Sequence, residues 1–176
     1  MPALITLSNA TRPRLSVGAR ARITADPFGS HSDAVALLEP LGLEHRLGRY
    51  EVDDLRALAA ETQAIAEALV SNRRPPPVST LNRLAGQATA SQTLRVGPDG
   101  TLTADVRWHA ATAVVELACQ VVAEFGRLDP ARLRRCAREP CDLLSYDTTR
   151  SRTQRWHSES PCGVRERQER WRHAVG

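Results

Sequence analysis

The chain contains no lysine: all 24 of its basic residues are arginine, a bias that a GC-rich coding sequence produces as readily as any physical demand. Aromatic residues make up only 4% of its 176 positions, against 41% hydrophobic residues overall. A large β-sandwich needs more aromatic and β-branched side chains between its sheets, so this composition points to a helix-rich core with a small appendage. Long hydrophobic runs are missing too. No stretch approaches the roughly 20 apolar residues that span a bilayer, and the N-terminal MPALITLSNATRPRL lacks the basic segment and apolar run of a secretory leader. The expected location is the cytoplasm, without membrane contact. There is no internal repeat, no glycine-rich phosphate loop and no Ser/His/Asp pattern, so nothing points to an enzyme.

Charge and cysteine are unevenly spread. Residues 1–130 hold 13 Arg against 14 acidic residues, whereas residues 131–176 hold 11 Arg against 6. The net charge of +4 therefore belongs to the last quarter of the chain. Of the four cysteines, Cys119 stands alone and Cys136, Cys141 and Cys162 cluster in that same quarter. In a cytosolic setting such a cluster argues for a metal rather than disulfides.

The first 130 residues read as short helices with clear punctuation. SDAVALLEPLG has Ser32 or Asp33 as its N-cap and Pro40 with Gly42 as its stop. DDLRALAAETQAIAEALVSNRRPPP aligns Leu55, Leu58, Ile65 and Leu69, with a cap at Asp53 and three prolines at its end. STLNRLAGQATA is a weaker helix capped by Ser79. TLRVGPDGTLTADV alternates about Pro98-Asp99-Gly100, the pattern of a β-hairpin and the only sheet of any size expected. WHAATAVVELACQVVAEFG is the most apolar helix; His109, Thr112, Glu116, Gln120 and Glu124 form its polar stripe, and Cys119 on its buried side is a core thiol. Asp129 and Pro130 then open a short helix, DPARLRR. The expected fold class is mainly α: a helical N-terminal domain (1–130) with one small β-hairpin, then a small cysteine-rich, metal-held unit (131–176) with a C-terminal helix.

The candidate ligands are Cys136-x4-Cys141, fifteen intervening residues, and His157-x4-Cys162. Each close pair can span one edge of a tetrahedron, and the loop returns the second pair to the first. Three thiolates and one imidazole suit Zn²⁺, a borderline-soft ion with no geometric preference of its own. Four protein ligands also close the site, unlike catalytic zinc, which keeps a position for water. His173 is the nearest substitute for His157.

The segment RRCAREPCDLLSYDTTRSRTQRWHSESPCGVRERQERW resembles the CGNR zinc finger. The matching pieces are Cys136 and Cys141, Asp147-Thr148-Thr149-Arg150, Arg155-Trp156-His157-Ser158, and Cys162-Gly163-Val164-Arg165. His157 stands where that family usually has Cys, and Val164 replaces its Asn, so no side-chain amide stands at that position. The upstream part, through LRALAAETQAIAEAL and the proline-rich break, resembles the ABATE domain of bacterial proteins described as stress-induced transcription regulators. The resemblance implies a zinc-binding regulator that contacts DNA.

Trp156 supplies the hydrophobic body that a forty-residue minidomain lacks, Gly163 allows a tight turn between ligand and helix, and Trp171 is expected to pack the last helix back onto the protein. Six arginines are the candidate nucleic-acid contacts: Arg150, Arg152 and Arg155 in the loop between ligand pairs, which has no acid over residues 148–158, and Arg165, Arg167 and Arg172 on the helix. Glu166 and Glu169 interleave with the helical arginines. The other reading of this segment is therefore a salt-bridged surface, with the finger serving as a protein-interaction module. In the regulator reading the N-terminal part senses a signal or forms a homodimer.

Overall fold

Helix α3 (Val52–Val70) is the longest element of the computed structural model, which describes residues 2–12, 14–15, 22–23 and 26–175. Its apolar spacing buries Leu55, Leu58, Ala59, Ile65 and Ala66, with Leu69 partly covered. Around it lie α1 (Pro2–Ser8), α2 (His31–Leu38), α4 (Ser79–Ala85) and α5 (Ala113–Gly126). Ala3, Leu7, Leu38, Leu55, Leu58, Leu84, Leu117 and Val121 meet in one core. Burial of about 1.5–3 kcal/mol per large aliphatic side chain holds it together.

The helix boundaries follow backbone hydrogen bonding more than the sequence suggests. α2 starts one turn early: Ser30, not Ser32 or Asp33, accepts from Asp33 N (3.1 Å). Its stop is the expected one, a single 3-10 turn through Glu39–Leu41 ending at Gly42 in the left-handed region (φ 67). Asp53 lies inside the first turn of α3 and does not cap it. α4 is not capped by Ser79, which is its first residue. Instead the Glu61 carboxylate of α3 accepts from Thr80 N (3.2 Å) and Leu81 N (2.6 Å). An acid at a helix N-terminus satisfies orphan N–H groups and opposes the helix dipole.

Glu124 does the same for α1. Expected on the polar stripe of α5, it is buried, and it accepts from Leu4 N at 2.7 Å. Thr112 caps α5, while Trp108 and His109 belong to the preceding strand rather than to the helix. The hairpin is accordingly longer than its sequence core: β3 (Thr89–Val96) pairs with β4 (Leu102–His109) in register from Thr89↔His109 to Val96↔Leu102. Gly100 (φ 79) occupies the left-handed position of its turn, and Asp99 accepts from Thr101 N and Oγ1. The other sheets are small: β1 (Arg14–Leu15) with β2 (Arg22–Ile23), and β5 (Leu133–Arg135) with β6 (Leu144–Tyr146).

The DPARLRR segment gives one 3-10 turn (Pro130–Arg132), with Asp129 accepting from Ala131 N as expected; Leu133–Arg135 is then β5 and not helix. Leu133 and Leu144 of this small hairpin join Leu4 and Ala66 in a second apolar cluster. The hairpin that carries the first two cysteines is thereby packed on α1 and α3. No described helix is long and apolar enough to cross a membrane.

Candidate metal centre

β5 leads directly into Cys136, and β6 begins three residues after Cys141. Between them Cys136 N donates to Leu143 O (2.9 Å) and Cys141 N to Arg138 O (2.8 Å), closing a tight loop with both thiols on one side. Ala137 N donates to Arg155 O (2.8 Å), which brings the Trp156-His157 segment against this loop. Cys162 follows in an irregular turn, Glu159–Gly163, in which Ser160 is extended, and α6 (Val164–Val175) starts immediately after it.

The ligand atoms of Cys136, Cys141, His157 and Cys162 all lie within 4.8 Å of one another. His157 presents Nδ1 to the cluster, 3.4 Å from Cys141 Sγ and 3.6 Å from Cys162 Sγ. With zinc–ligand bonds of about 2.3 Å to sulfur and about 2.05 Å to nitrogen, a regular tetrahedron separates S and N by about 3.6 Å. The donor spacing fits that ion. His173 is not in the cluster.

The electrostatics fit as well. The three cysteines are buried; burial, then the neighbouring thiols, pushes the Cys162 thiol up to about 12, and burial raises Cys141 too. Three converging thiolates are untenable in such a place without a compensating cation. Bound there, zinc would be structural, joining loop, strand and helix start through four protein ligands.

The residues around the ligands orient them. Leu143 and the partly buried Trp156 pack on the three cysteines, so Trp156 is the small hydrophobic body expected of it. Arg138, buried in the first loop, donates to both carboxylate oxygens of Glu169 on α6 (3.0 and 2.7 Å), with Glu166 at 3.8 Å. The hydrogen bonds that Arg138 donates to Glu169, together with the carboxylate's charge, raise the Arg138 pKa, and the same contact lowers that of Glu169. A two-point guanidinium–carboxylate pair fixes orientation as well as distance, so the first loop and the last helix are clamped.

Asp147 organises the loop between ligand pairs. Fully buried, it accepts from Thr149 Oγ1 (2.6 Å), Thr149 N (2.9 Å) and Gln154 N (3.0 Å), and the Thr149 hydroxyl holds its pKa below the ordinary range. Arg132 donates to the carbonyls of Asp147 and Thr149 (2.9 and 3.0 Å).

The arginines now divide by what they touch. Arg132, Arg134, Arg135 and Arg138 are structural: Arg134 approaches Asp147 (3.7 Å), and Arg135 pairs with Glu67 and Asp142. Among the six candidate contacts, Arg150 is exposed, Arg155 stacks on Trp156 (5.6 Å to the ring centroid), Arg152 pairs with Asp129 (3.3 Å) and Arg167 with Glu159. Arg165 is half-buried near the start of α6, and Arg172 donates to Gln168 O (3.3 Å). Arg170 forms the i, i+4 pair with Glu166 (3.2 Å).

Three sequence expectations change here. Trp171 is 68% exposed and packs α6 onto nothing substantial; that task falls to Arg138, whose ion pairs no apolar pattern reveals. Gly163 is not in the left-handed region. The nearest atoms a Cβ there would meet are those of the Glu159 carboxylate, the movable end of a side chain. Val164 opens α6 with a side chain that can neither cap nor donate. Cys119 is only partly buried rather than a core thiol, because it sits at the edge of the buried face of α5; it stays outside the metal cluster, its Sγ 3.7 Å from Ala85 O and its pKa raised by burial.

No curated protein matches the chain. The family model of the CGNR zinc finger matches residues 132–174, the segment that holds all four ligands, so the metal centre described here is similar to the zinc site of that finger.

Proposed function

We propose that the chain is a non-enzymatic bacterial transcription regulator of the cytoplasm. In this reading residues 131–176 contact DNA, and residues 1–130 form an ABATE-like domain that senses a stress signal or dimerises. The observation that carries the reading is the division of the arginines. Four are consumed in building the metal unit, and the acids Glu166 and Glu169 turn toward Arg138. Arg150, Arg155 and Arg172 remain on the surface of a metal-organised scaffold, with Arg152 and Arg167 held only by exposed or half-exposed carboxylates that phosphate can displace. Phosphate contacts of this kind supply affinity and orientation without reading bases.

A second reading has its own support. Exposed Trp171 stands between Arg170 and Arg172 on α6, the composition of a protein-interaction hot spot. The finger would then dock an acidic protein. Fluorescence anisotropy of labelled random duplex DNA with zinc-loaded protein, repeated across a salt series, separates the two. Saturable binding that weakens steeply with salt supports DNA contact; no binding at low salt moves the assignment to the protein partner.

A further inference from the structure

The β3–β4 hairpin has one face with the composition of a protein interior, and the described residues do not cover it. In the observed register, Ala90, Gln92, Leu94 and Val96 share a face with Leu102, Ala104, Val106 and Trp108. Thr89, Ser91, Thr93, Arg95, Thr103, Asp105, Arg107 and His109 take the other. The second face is wholly polar, with Arg95 paired to Asp105 (2.8 Å) and Ser91 to His109 (2.7 Å). The first carries no ionisable group. Yet Leu94 is 67% exposed, Val96 72%, Leu102 64% and Trp108 71%. Among the described residues the two strands pack chiefly on each other.

We propose that this face is a homodimer interface, packed against the same face of a second copy about a two-fold axis. Two of its four cross-strand pairs set a large side chain beside a small one, Trp108 across from Ala90 and Leu94 across from Ala104, while Val96 and Leu102 at the turn end form a continuous apolar ridge. Knobs beside hollows are what let two sheets interdigitate about 10 Å apart. The area is adequate as well. Leu94, Val96, Leu102, Trp108 and the less exposed Val106 together offer roughly 600 Å² per copy, so a two-fold contact covers at most about 1,200 Å², above the roughly 1,000 Å² expected of a specific interface. An isolated two-stranded hairpin is marginal in water, whereas eight paired positions here are in regular register. The absence of charge on this face excludes a polyanion and resembles the apolar centre of homodimer contacts. The inference is independent of whether the finger binds DNA.

The test is sedimentation equilibrium of the zinc-loaded full chain, with Leu94→Ala on the apolar face and Thr93→Ala on the polar face of the same strand. Both changes fall on exposed positions and shorten a side chain, so the fold is retained, and circular dichroism confirms it. The expected result is a wild-type species of twice 19.3 kDa. Its dissociation constant should rise roughly a hundredfold in Leu94→Ala, because two leucines are lost per dimer, and stay unchanged in Thr93→Ala. A wild type that is monomeric up to about 100 μM overturns the proposal. So does a dimer whose constant is the same in Leu94→Ala, or one weakened equally by both substitutions.

Discussion

The side-chain amide of Asn9 pairs with both backbone groups of Leu144: Nδ2 donates to Leu144 O and Leu144 N donates to Oδ1, each at 2.8 Å. Asn9 thus takes the place of a neighbouring strand along the edge of β6, where both partners are buried. Beside it Arg12, whose pKa burial lowers, reaches Asp142 and Glu67, and Arg135 reaches the same two acids. The β-hairpin of the metal unit is therefore attached to the helical part by polar groups as well as by Leu133 and Leu144.

Asn9→Ala leaves one buried donor and one buried acceptor unpaired, at about 1–3 kcal/mol each. Thermal unfolding in excess zinc is expected to show a loss of roughly 2–6 kcal/mol. An unchanged midpoint would mean that water replaces the amide at no cost.

This attachment also determines what survives metal removal. Chelation is expected to open the amides of Ala137 and Gly163, which depend on the second ligand pair, while Leu144 and Asp147 N–H groups stay protected against hydrogen exchange by Asn9 and Arg132 O. Uniform exchange across residues 132–174 would show that the small hairpin has no stability apart from the metal.

His157→Cys is expected to retain one zinc per chain, because a thiolate can occupy the vertex that Nδ1 faces. His157→Ala removes a direct ligand and should weaken zinc by more than the roughly 10–100-fold typical of changes to groups that merely support ligands. Competition with a chromophoric chelator at neutral pH measures both. Equal affinity in His157→Ala would displace the imidazole from the site.

Asp147→Asn is expected to destabilise the loop over residues 148–155 while zinc stays bound. The folded pKa of Asp147 lies below its unfolded value, so its contribution is fully present above about pH 4 and is lost as pH falls through the folded value. Between pH 5 and 7 the difference in melting midpoint between wild type and Asp147→Asn should consequently be constant. A difference that shrinks over that range would assign the effect to a different titrating group.

If DNA binds, Arg155→Ala, Arg172→Ala and Arg150→Ala should each flatten the plot of log K against log salt by roughly one unit. Arg152→Ala and Arg167→Ala should flatten it less, since Asp129 and Glu159 already hold those side chains. Arg134→Ala, on the structural side of the division, serves as the control and should leave the slope unchanged.

The amino-acid sequence by itself determined the metal ligands, because ligand chemistry is a property of residue type and a four-residue gap is a local constraint. It determined α3 from apolar spacing, the Gly42 stop and the Gly100 turn from backbone sterics, and the basic character of the last quarter from composition. What it left undecided depends on groups distant along the chain. Glu124 looks like a polar-stripe residue until α1 brings its N-terminus to it, and Glu61 caps a helix that starts eighteen residues later. Trp108 and His109 became strand instead of helix because Thr89 and Ala90 were available to pair with them. Arginines of one composition divided into scaffold and surface according to which acids the fold placed within reach. A side chain's partner is set by tertiary proximity, and no local periodicity encodes it.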